Sequence, residues 1–106
     1  MSHMTLRSVA VILQDPVSAF EFGVLDEVFG TDRMDEGVPP IDFRVCAEPP
    51  EVALDIRFGV TLRATHDLTG TADADLVAVP ACKSPHGPSP AVVAAIRDAV
   101  DRGAWV

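Results

Sequence analysis

The stretch SVAVIL at residues 8–13 decides the fold, because it is apolar at every position after Ser8. A strand with one solvated face alternates apolar and polar residues, whereas a strand of a parallel sheet is covered on both faces and is apolar throughout. The run ends at Gln14, Asp15 and Pro16, which favour a turn. We therefore predict that residues 8–13 form a strand of a parallel sheet.

Further apolar runs extend this sheet. Residues 43–47 (FRVCA) and 76–79 (LVAV) predict a second and a third strand. Residues 52–56 and 60–63 predict a small antiparallel hairpin at the margin of the sheet. The residues expected in the sheet core are Val9, Val11, Leu13, Val45, Leu76, Val77 and Val79.

A first helix is predicted from Ser18 to Phe29, with Gly30 closing it. Ser18 and Glu21 have the Ser-x-x-Glu spacing of a capping box, in which the hydroxyl accepts from the backbone N–H of residue 21 and the carboxylate reaches back to that of residue 18. Gly23 costs ~1 kcal/mol relative to alanine, so we expect another group to approach its backbone closely. The expected sheet-facing stripe consists of Phe22, Leu25, Val28 and Phe29.

A second helix is predicted after the third strand, because Ser89 suits an N-cap, Pro90 suits the first helical position and Gly103 ends the pattern. Its expected apolar face consists of Val92, Val93, Ile96 and Val100. The alternation of helices and strands predicts a three-layer α/β/α fold with a mainly parallel sheet.

The last three residues, Ala104, Trp105 and Val106, have the pattern of one more strand. A sheet that stopped there would leave an edge and apolar faces uncovered. We therefore expect the chain to be the front half of a larger domain. We also expect a homo-oligomer in which Trp105 and the apolar face of the second helix are buried between chains.

Composition excludes several classes of function. The 106 residues suffice for one domain, and residues 1–4 are interpreted as an expression-vector remnant, which leaves residues 5–106. The formal net charge is −8, whereas nucleic-acid binding needs clustered Lys and Arg. Two cysteines are too few for a disulfide framework, and no apolar run approaches the ~18 residues that cross a bilayer. These observations predict a cytoplasmic domain that contacts neither membrane nor DNA.

The predicted topology indicates where a ligand site would lie. Ligands of open parallel sheets bind outside the carboxyl ends of the strands, an edge built here from residues 14–18, 47–49 and 80–86. Glu21 could instead serve only in the capping box. Cys82 and His86 could instead be neighbours by chance, because their spacing matches no catalytic motif. The candidate ligand-site residues are Asp15, Glu21, Cys82 and His86.

The sequence predicts neither a metal nor a cofactor. Zinc needs four ligands at close paired spacings, and residues 14–18 lack the glycines of a phosphate-binding loop. No catalytic residue is assigned within the chain. The residues that could have served as zinc ligands lie on four separate elements, namely Cys46, His66, Cys82 and His86.

Taken together, the segments resemble the ThiJ/PfpI-like (class I glutamine amidotransferase-like) fold, and in particular the amino-terminal half of AraC-type transcriptional regulators. The resemblance covers residues 7–106, and the run FGTDRMDEGVP looks much like the acyl-signal-responsive branch of these regulators. The matching stretches are SVAVIL, FEFGVLDEVFG, FRVCAEPPEV, FGVTLRATHDL, ADADLVAVPA and PSPAVVAAIRDAVDRGAWV.

The resemblance implies a flavodoxin-like domain and a role for Glu21. In enzymes of this superfamily the matching acid partners a cysteine nucleophile on a sharp strand-to-helix turn, which would lie a few residues past Val106. Cys82, on an earlier loop, does not take its place. The helix-turn-helix half that binds DNA in the regulators would lie further on.

Two functions of different classes follow from the resemblance. The first is a non-catalytic sensing and dimerisation domain of an AraC-type regulator, with a small-molecule effector in the crevice and DNA bound only through the other half. The alternative is part of a ThiJ/PfpI-type hydrolase, hydratase or glyoxalase in which Glu21 tunes a thiolate.

Overall fold

The computed structural model describes residues 6–32, 34–81 and 84–106, which form five strands and two α-helices. The first helix, α1 (Ala19–Leu25), continues as a π-helical turn over Asp26–Gly30, and the second is α2 (Pro90–Arg102). Short 3₁₀ turns lie at Met34–Glu36 and Leu68–Thr71. The strands are β1 (Ser8–Ile12), β2 (Asp42–Cys46), β3 (Leu54–Arg57), β4 (Val60–Leu62) and β5 (Leu76–Ala78).

Strand β1 lies at the centre of a parallel sheet with the order β2–β1–β5, and β3 and β4 form the predicted antiparallel hairpin. Single bridges extend the sheet on both sides, from Cys46 to His66 outside β2 and from Leu76 to Trp105 outside β5. The backbone N–H of Val77 donates to the carbonyl oxygen of Trp105 at 2.8 Å. The strand predicted after α2 therefore joins the sheet at Trp105.

Alternate residues of β1 enter two different cores. Val9 and Val11 pack with α1 and with the β3–β4 hairpin, whereas Ala10 and Ile12 pack with α2. The side chains of all four are fully buried, so both faces of this strand are covered. The predicted α/β fold with a parallel sheet is confirmed, because the apolar pattern of residues 8–13 requires this double coverage.

The predicted core residues at the centre of the sheet are buried, whereas most of those predicted at its sides are only half-buried. Strands β2 and β5 flank the centre, so their side chains are shielded less completely than those of β1. The buried members of the predicted set are Val9, Val11, Leu13 and Val77. The half-buried members are Val45, Leu76 and Val79.

Each helix differs from its predicted apolar face at one position. In the first helix, Val28 was expected on the sheet but is 51% exposed, because it lies on the side of the helix that also carries Phe20 and Val24. In α2, Val100 is 57% exposed and its neighbour Ala99 is buried instead. Val92 and Ala99 pack on the sheet of their own chain, so this part of the α2 face is already covered within the chain.

Gly70 allows the 3₁₀ turn to approach β2 closely. A Cβ atom on Gly70 would lie 2.9 Å from Cys46 Sγ and 3.1 Å from His66 Cβ. Around the corresponding Cβ position of Gly23, no atom of the described residues lies within 4 Å. The close approach expected at Gly23 is therefore wrong, whereas the contacts at Gly70 are close enough to require a glycine.

This contrast gives a matched pair of substitutions. Gly70→Ala should lower the free energy of unfolding by about 1–3 kcal/mol, because the added methyl group overpacks a buried thiol. Gly23→Ala should raise it by about 0.5–1 kcal/mol, because alanine is the better helix former. Urea unfolding followed by circular dichroism measures both, and equal stability of the two variants would contradict the close contact at Gly70.

The Asp75 carboxylate fixes the start of β1. Asp75 Oδ2 accepts hydrogen bonds from the backbone N–H groups of Arg7 at 2.8 Å and Ser8 at 3.1 Å. The bond from Arg7, assisted by those from Ser8, holds the pKa of Asp75 below its usual value. Protonation would weaken both contacts, so the carboxylate form is the one that secures this end of the strand.

The sign of the pH dependence follows from the lowered pKa. A carboxyl group whose pKa is lower in the folded state stabilises the protein above its unfolded pKa, and that contribution disappears as pH falls through the folded value. We expect the urea midpoint to fall between about pH 6 and about pH 3, and to fall less in Asp75→Asn than in the wild type. Parallel profiles for the two proteins would contradict this assignment.

Candidate functional site

A crevice of about 280 Å³ opens at the carboxyl ends of β1 and β2, where the topology predicts a ligand site. The loop after β1, the loop after β2, the start of the hairpin and the start of α2 all contribute to its walls. This combination of one small crevice and several converging loops is typical of ligand sites in α/β domains. The lining consists of Leu13, Gln14, Asp15, Ala47, Glu48, Pro49, Val52, Ala53, Leu54, Ser84, Gly87, Ser89 and Val92.

The amino end of α2 forms one wall of the crevice. Ser89 is its N-cap, as predicted, and Ser89 Oγ accepts from the backbone N–H of Val92 at 3.3 Å. The partial positive charge of this helix end lies beside a crevice whose lining also includes the acidic residues Asp15 and Glu48. Sequence reasoning identified Ser89 only as a cap, because nothing local indicates which loops its helix will meet.

Asp15 fixes the hairpin to the loop after β1. Asp15 Oδ1 accepts from the backbone N–H of Asp55 at 2.8 Å, and the carbonyl oxygen of Asp55 accepts from the backbone N–H of Val17 at 2.8 Å. The candidate ligand residue thus lines the crevice and also holds one of its walls in position. A ligand that displaced this carboxylate would leave the bond between Val17 and Asp55 as the remaining one of these two contacts.

Glu21 joins the first turn of α1 to the loop after β5. Glu21 Oε1 accepts from the backbone N–H of Ala81 at 2.7 Å, and Oε2 accepts from the hydroxyl of Ser18 at 3.3 Å. The predicted capping box is wrong within the described residues, because the Ser18 hydroxyl donates to the carboxylate instead of capping the helix. A carboxylate accepts charge-assisted hydrogen bonds, which are stronger than neutral ones, so this arrangement is favoured.

The structure separates the predicted site residues. Asp15 lines the crevice, whereas Glu21 lines a second groove of about 320 Å³ between α1 and β5. His86 is exposed, and its backbone N–H donates to Ser84 Oγ at 3.2 Å. Cys82 lies outside the described residues. Ser84, three residues after Ala81 in the sequence, lines the crevice.

Cys46 is unsuited to nucleophilic chemistry. It is buried at the end of β2, and burial raises the pKa of its thiol to about 11, so the reactive thiolate is scarce at neutral pH. Cys46 and His66, which the sequence places on separate elements, are neighbours across a β-bridge. Among residues 6–32, 34–81 and 84–106, no group of three or more His, Cys, Asp or Glu side chains could hold a metal ion.

A cavity of about 800 Å³ lies between α2 and the Leu68–Thr71 turn. Its lining includes alanines of α2, Arg102 and the acidic residues Glu48, Glu51, Asp67 and Asp98. Four acidic residues against one arginine disfavour phosphate groups, which agrees with the net charge of −8.

Neither a family model nor a curated protein matches the sequence. Within the part of the chain that the structure describes, no helix is long and apolar enough to cross a membrane. The crevice, the groove beside Glu21 and the acidic surface are therefore the features on which a function can be based.

Substitutions at Glu21 test whether its two contacts stabilise the fold. Glu21→Ala should lower the free energy of unfolding by about 1–3 kcal/mol, because it removes the acceptor for Ala81 and for Ser18. Glu21→Gln keeps an oxygen acceptor for Ala81 and should cost less than about 1 kcal/mol. Glu27→Ala, on an exposed neighbour, is the control and should stay within about 0.5 kcal/mol of the wild type. Urea unfolding measures all three, and a Glu21→Ala value equal to the control would mean that these contacts do not matter.

Proposed function

We propose that this chain is the sensing and dimerisation part of an AraC-type transcriptional regulator, with a flavodoxin-like fold of the ThiJ/PfpI type. In this role the chain works in the cytoplasm, binds a small effector and pairs with a second copy. It neither catalyses a reaction nor contacts DNA, which is left to a separate DNA-binding half.

The crevice at the carboxyl ends of β1 and β2 is the observation that carries the proposal. At about 280 Å³ it is close to the lower limit of small-molecule sites, so it suits a small effector. Its walls are attached to the rest of the domain by individual hydrogen bonds, from Asp55 to Asp15 and from Ala81 to Glu21. A bound effector could therefore change the positions of the hairpin and of the loop after β5 together.

The path from the crevice to the surface supports a sensing role. Ser84 lines the crevice, and Ala81, three residues earlier, is bound by Glu21 in the first turn of α1. Movement of the loop would therefore act on α1, whose outer side carries the exposed residues Phe20 and Val24. If the loop has two positions and each favours a different orientation of α1, an effector that binds one position more tightly increases the fraction of chains with the matching orientation. The size of the change is set by the difference in binding free energy between the two positions.

The charge distribution supports the absence of DNA contact. Binding to DNA requires Lys and Arg side chains that displace counterions from the phosphates, whereas this chain has sixteen acidic residues and eight basic ones. In addition, two of the basic side chains form hydrogen bonds within the fold. The guanidinium group of Arg44 donates to the carbonyl oxygen of Gly70, and that of Arg102 donates to the carbonyl oxygen of Thr71. The acidic surface keeps the domain away from the DNA while a linked domain binds it.

A reporter assay tests the dimerisation role directly. The chain is fused to a DNA-binding domain that represses its operator only as a dimer and whose own dimerisation region has been removed. The fusion should restore repression, and the DNA-binding domain alone is the control. Repression equal to that control would contradict the proposed function.

Fluorescence anisotropy with labelled duplex DNA tests the second part of the proposal. The unfused chain should bind no more tightly than an unrelated acidic protein of similar size. A salt-dependent affinity tighter than ~10⁻⁶ M, the strong end of ordinary non-specific binding, would show that the domain itself contacts DNA.

A further inference from the structure

The cavity of about 800 Å³ beside α2 is a groove that follows the helix from residue 91 to residue 102. The helix forms one wall, and residues 48–51 with the Leu68–Thr71 turn form the other. The turn contacts Cys46 of β2 closely at Gly70, so the groove lies towards the β2 edge of the sheet, away from the edge at which Trp105 pairs. We call this space the α2 groove.

The helix wall of the α2 groove is long and made mostly of small side chains. Its residues recur at spacings of three and four, which places them on one side of the helix. From the first to the last of them the helix rises roughly 17 Å, or about three turns. Alanine at four of the six positions lets a second helix pack closely, because the distance between two helix axes depends on the side chains between them. The six residues are Ala91, Ala94, Ala95, Asp98, Ala99 and Arg102.

The opposite wall is a poor partner for an extended peptide. Pro49 and Pro50 have no backbone N–H to donate. The backbone N–H groups of Thr69, Gly70 and Ala72 already donate within the turn and its cap. An extended segment would therefore bury its own backbone groups without partners, whereas a helix satisfies most of its groups internally. The occupant that suits the α2 groove is a helix.

The α2 groove is strongly acidic. Four of its fifteen lining residues are acidic and one is basic, against sixteen acidic and eight basic residues in the whole chain. The ratio of acidic to basic residues is thus four to one in the lining and two to one overall. Both walls contribute, with Asp98 on α2 and Glu48, Glu51 and Asp67 opposite it.

Arg102 is engaged with the backbone and leaves these acids without a cationic partner. It follows Asp98 by four residues, but its guanidinium group donates to the carbonyl oxygens of Thr71 at 2.8 Å and Ala74 at 2.9 Å. Within the described part of the chain, ion pairs occur only around Arg44, and they include no acid of the groove. The lining therefore keeps an excess of three negative charges, from four acidic residues and one basic residue.

We propose that the α2 groove is the docking site for a basic amphipathic helix of a partner protein. The apolar side of that helix lies on the alanines of α2 and on Leu68. Lys or Arg residues flank this apolar side, and they meet Asp98 on one wall and the three acids of the other wall. The inference goes beyond the proposed function and does not depend on it, because it involves neither an effector nor a second copy.

The charges also select the partner. A second copy of this chain does not fit, because the first helix has three acidic residues and no Lys or Arg, and α2 has as many acidic residues as basic ones. Acidic helices and nucleic acids are repelled by the same carboxylates. The α2 groove therefore attracts basic helices and rejects most other segments, which is how an interface gains specificity.

Fluorescence anisotropy with a labelled peptide and the whole chain tests the proposal. The probe is a helical peptide of Leu, Ala and Lys, about four turns long, in which Lys flanks an apolar stripe on both sides. Its binding should be saturable and should weaken with added salt, because salt screens attraction between exposed charges. A scrambled peptide of the same composition keeps the charge but lacks the stripe, and it should bind at least about tenfold more weakly.

Matched substitutions locate the site. Asp98→Lys reverses a charge in the groove, whereas Glu27→Lys makes the same change on the helix that covers the opposite face of the sheet. Ala94→Phe adds bulk at an exposed position of the groove, whereas Val100→Phe adds bulk at an exposed position of α2 outside the lining. The first variant of each pair should weaken probe binding at least about tenfold, and the second should change it less than about twofold.

Three outcomes overturn the proposal. The first is a wild type that does not bind the amphipathic peptide, and the second is equal binding of the amphipathic and the scrambled peptide. The third is unchanged binding in both Asp98→Lys and Ala94→Phe, with circular dichroism showing that the variants are folded. Since the assay contains neither effector nor operator DNA, each of these outcomes leaves the proposed sensing and dimerisation role standing on its own tests.

Discussion

Strand β1 must be shielded on both faces and along both edges, and the rest of the structure depends on this constraint. Its residues from Val9 to Ile12 are completely buried. Two parallel neighbours satisfy the hydrogen bonds of its edges, and two helical layers cover its faces. Because parallel neighbours need long connections, the chain must cross the sheet after each strand, and these crossings bring several loops to one end.

The crevice is a consequence of this arrangement. Crossings that pass on opposite faces diverge from the central strand, and the divergence leaves a space outside the carboxyl ends. Here the space is small, because the hairpin and the amino end of α2 reach into it. The loops are held by few hydrogen bonds compared with the strands, so they are the part of the domain that a ligand can reposition at low cost.

Local patterns predicted the elements well, because each signal lies within the element that it defines. Ser89 and Gly103 bounded α2 correctly, and Gly103 has the positive φ of 89° that a helix end commonly requires. The side of a helix that meets the sheet was less predictable. Most positions of α2 are apolar, so its sequence fits several possible apolar faces. Which of them is buried depends on the packing against the sheet, which buries Ala99 and leaves Val100 exposed.

The candidate site was predictable as a place but not as a set of contacts. Ligands of open parallel sheets bind outside the carboxyl ends of the strands. This rule identified the loops that form the crevice and gave Asp15 as one of its lining residues. The partner of Glu21, however, is sixty residues away along the chain, and no local pattern contains it. The capping box was the only local partner available to sequence reasoning, and a stronger distant donor replaced it.

Both carboxylates that hold the crevice loops bind backbone N–H groups, which every residue except proline supplies. Any residue except proline at positions 55 and 81 would therefore keep these donors, whereas the loss of the acid at position 15 or 21 would remove the acceptor. A lineage can consequently diversify the side chains around the crevice, and with them the molecules that it accepts, on an unchanged loop architecture.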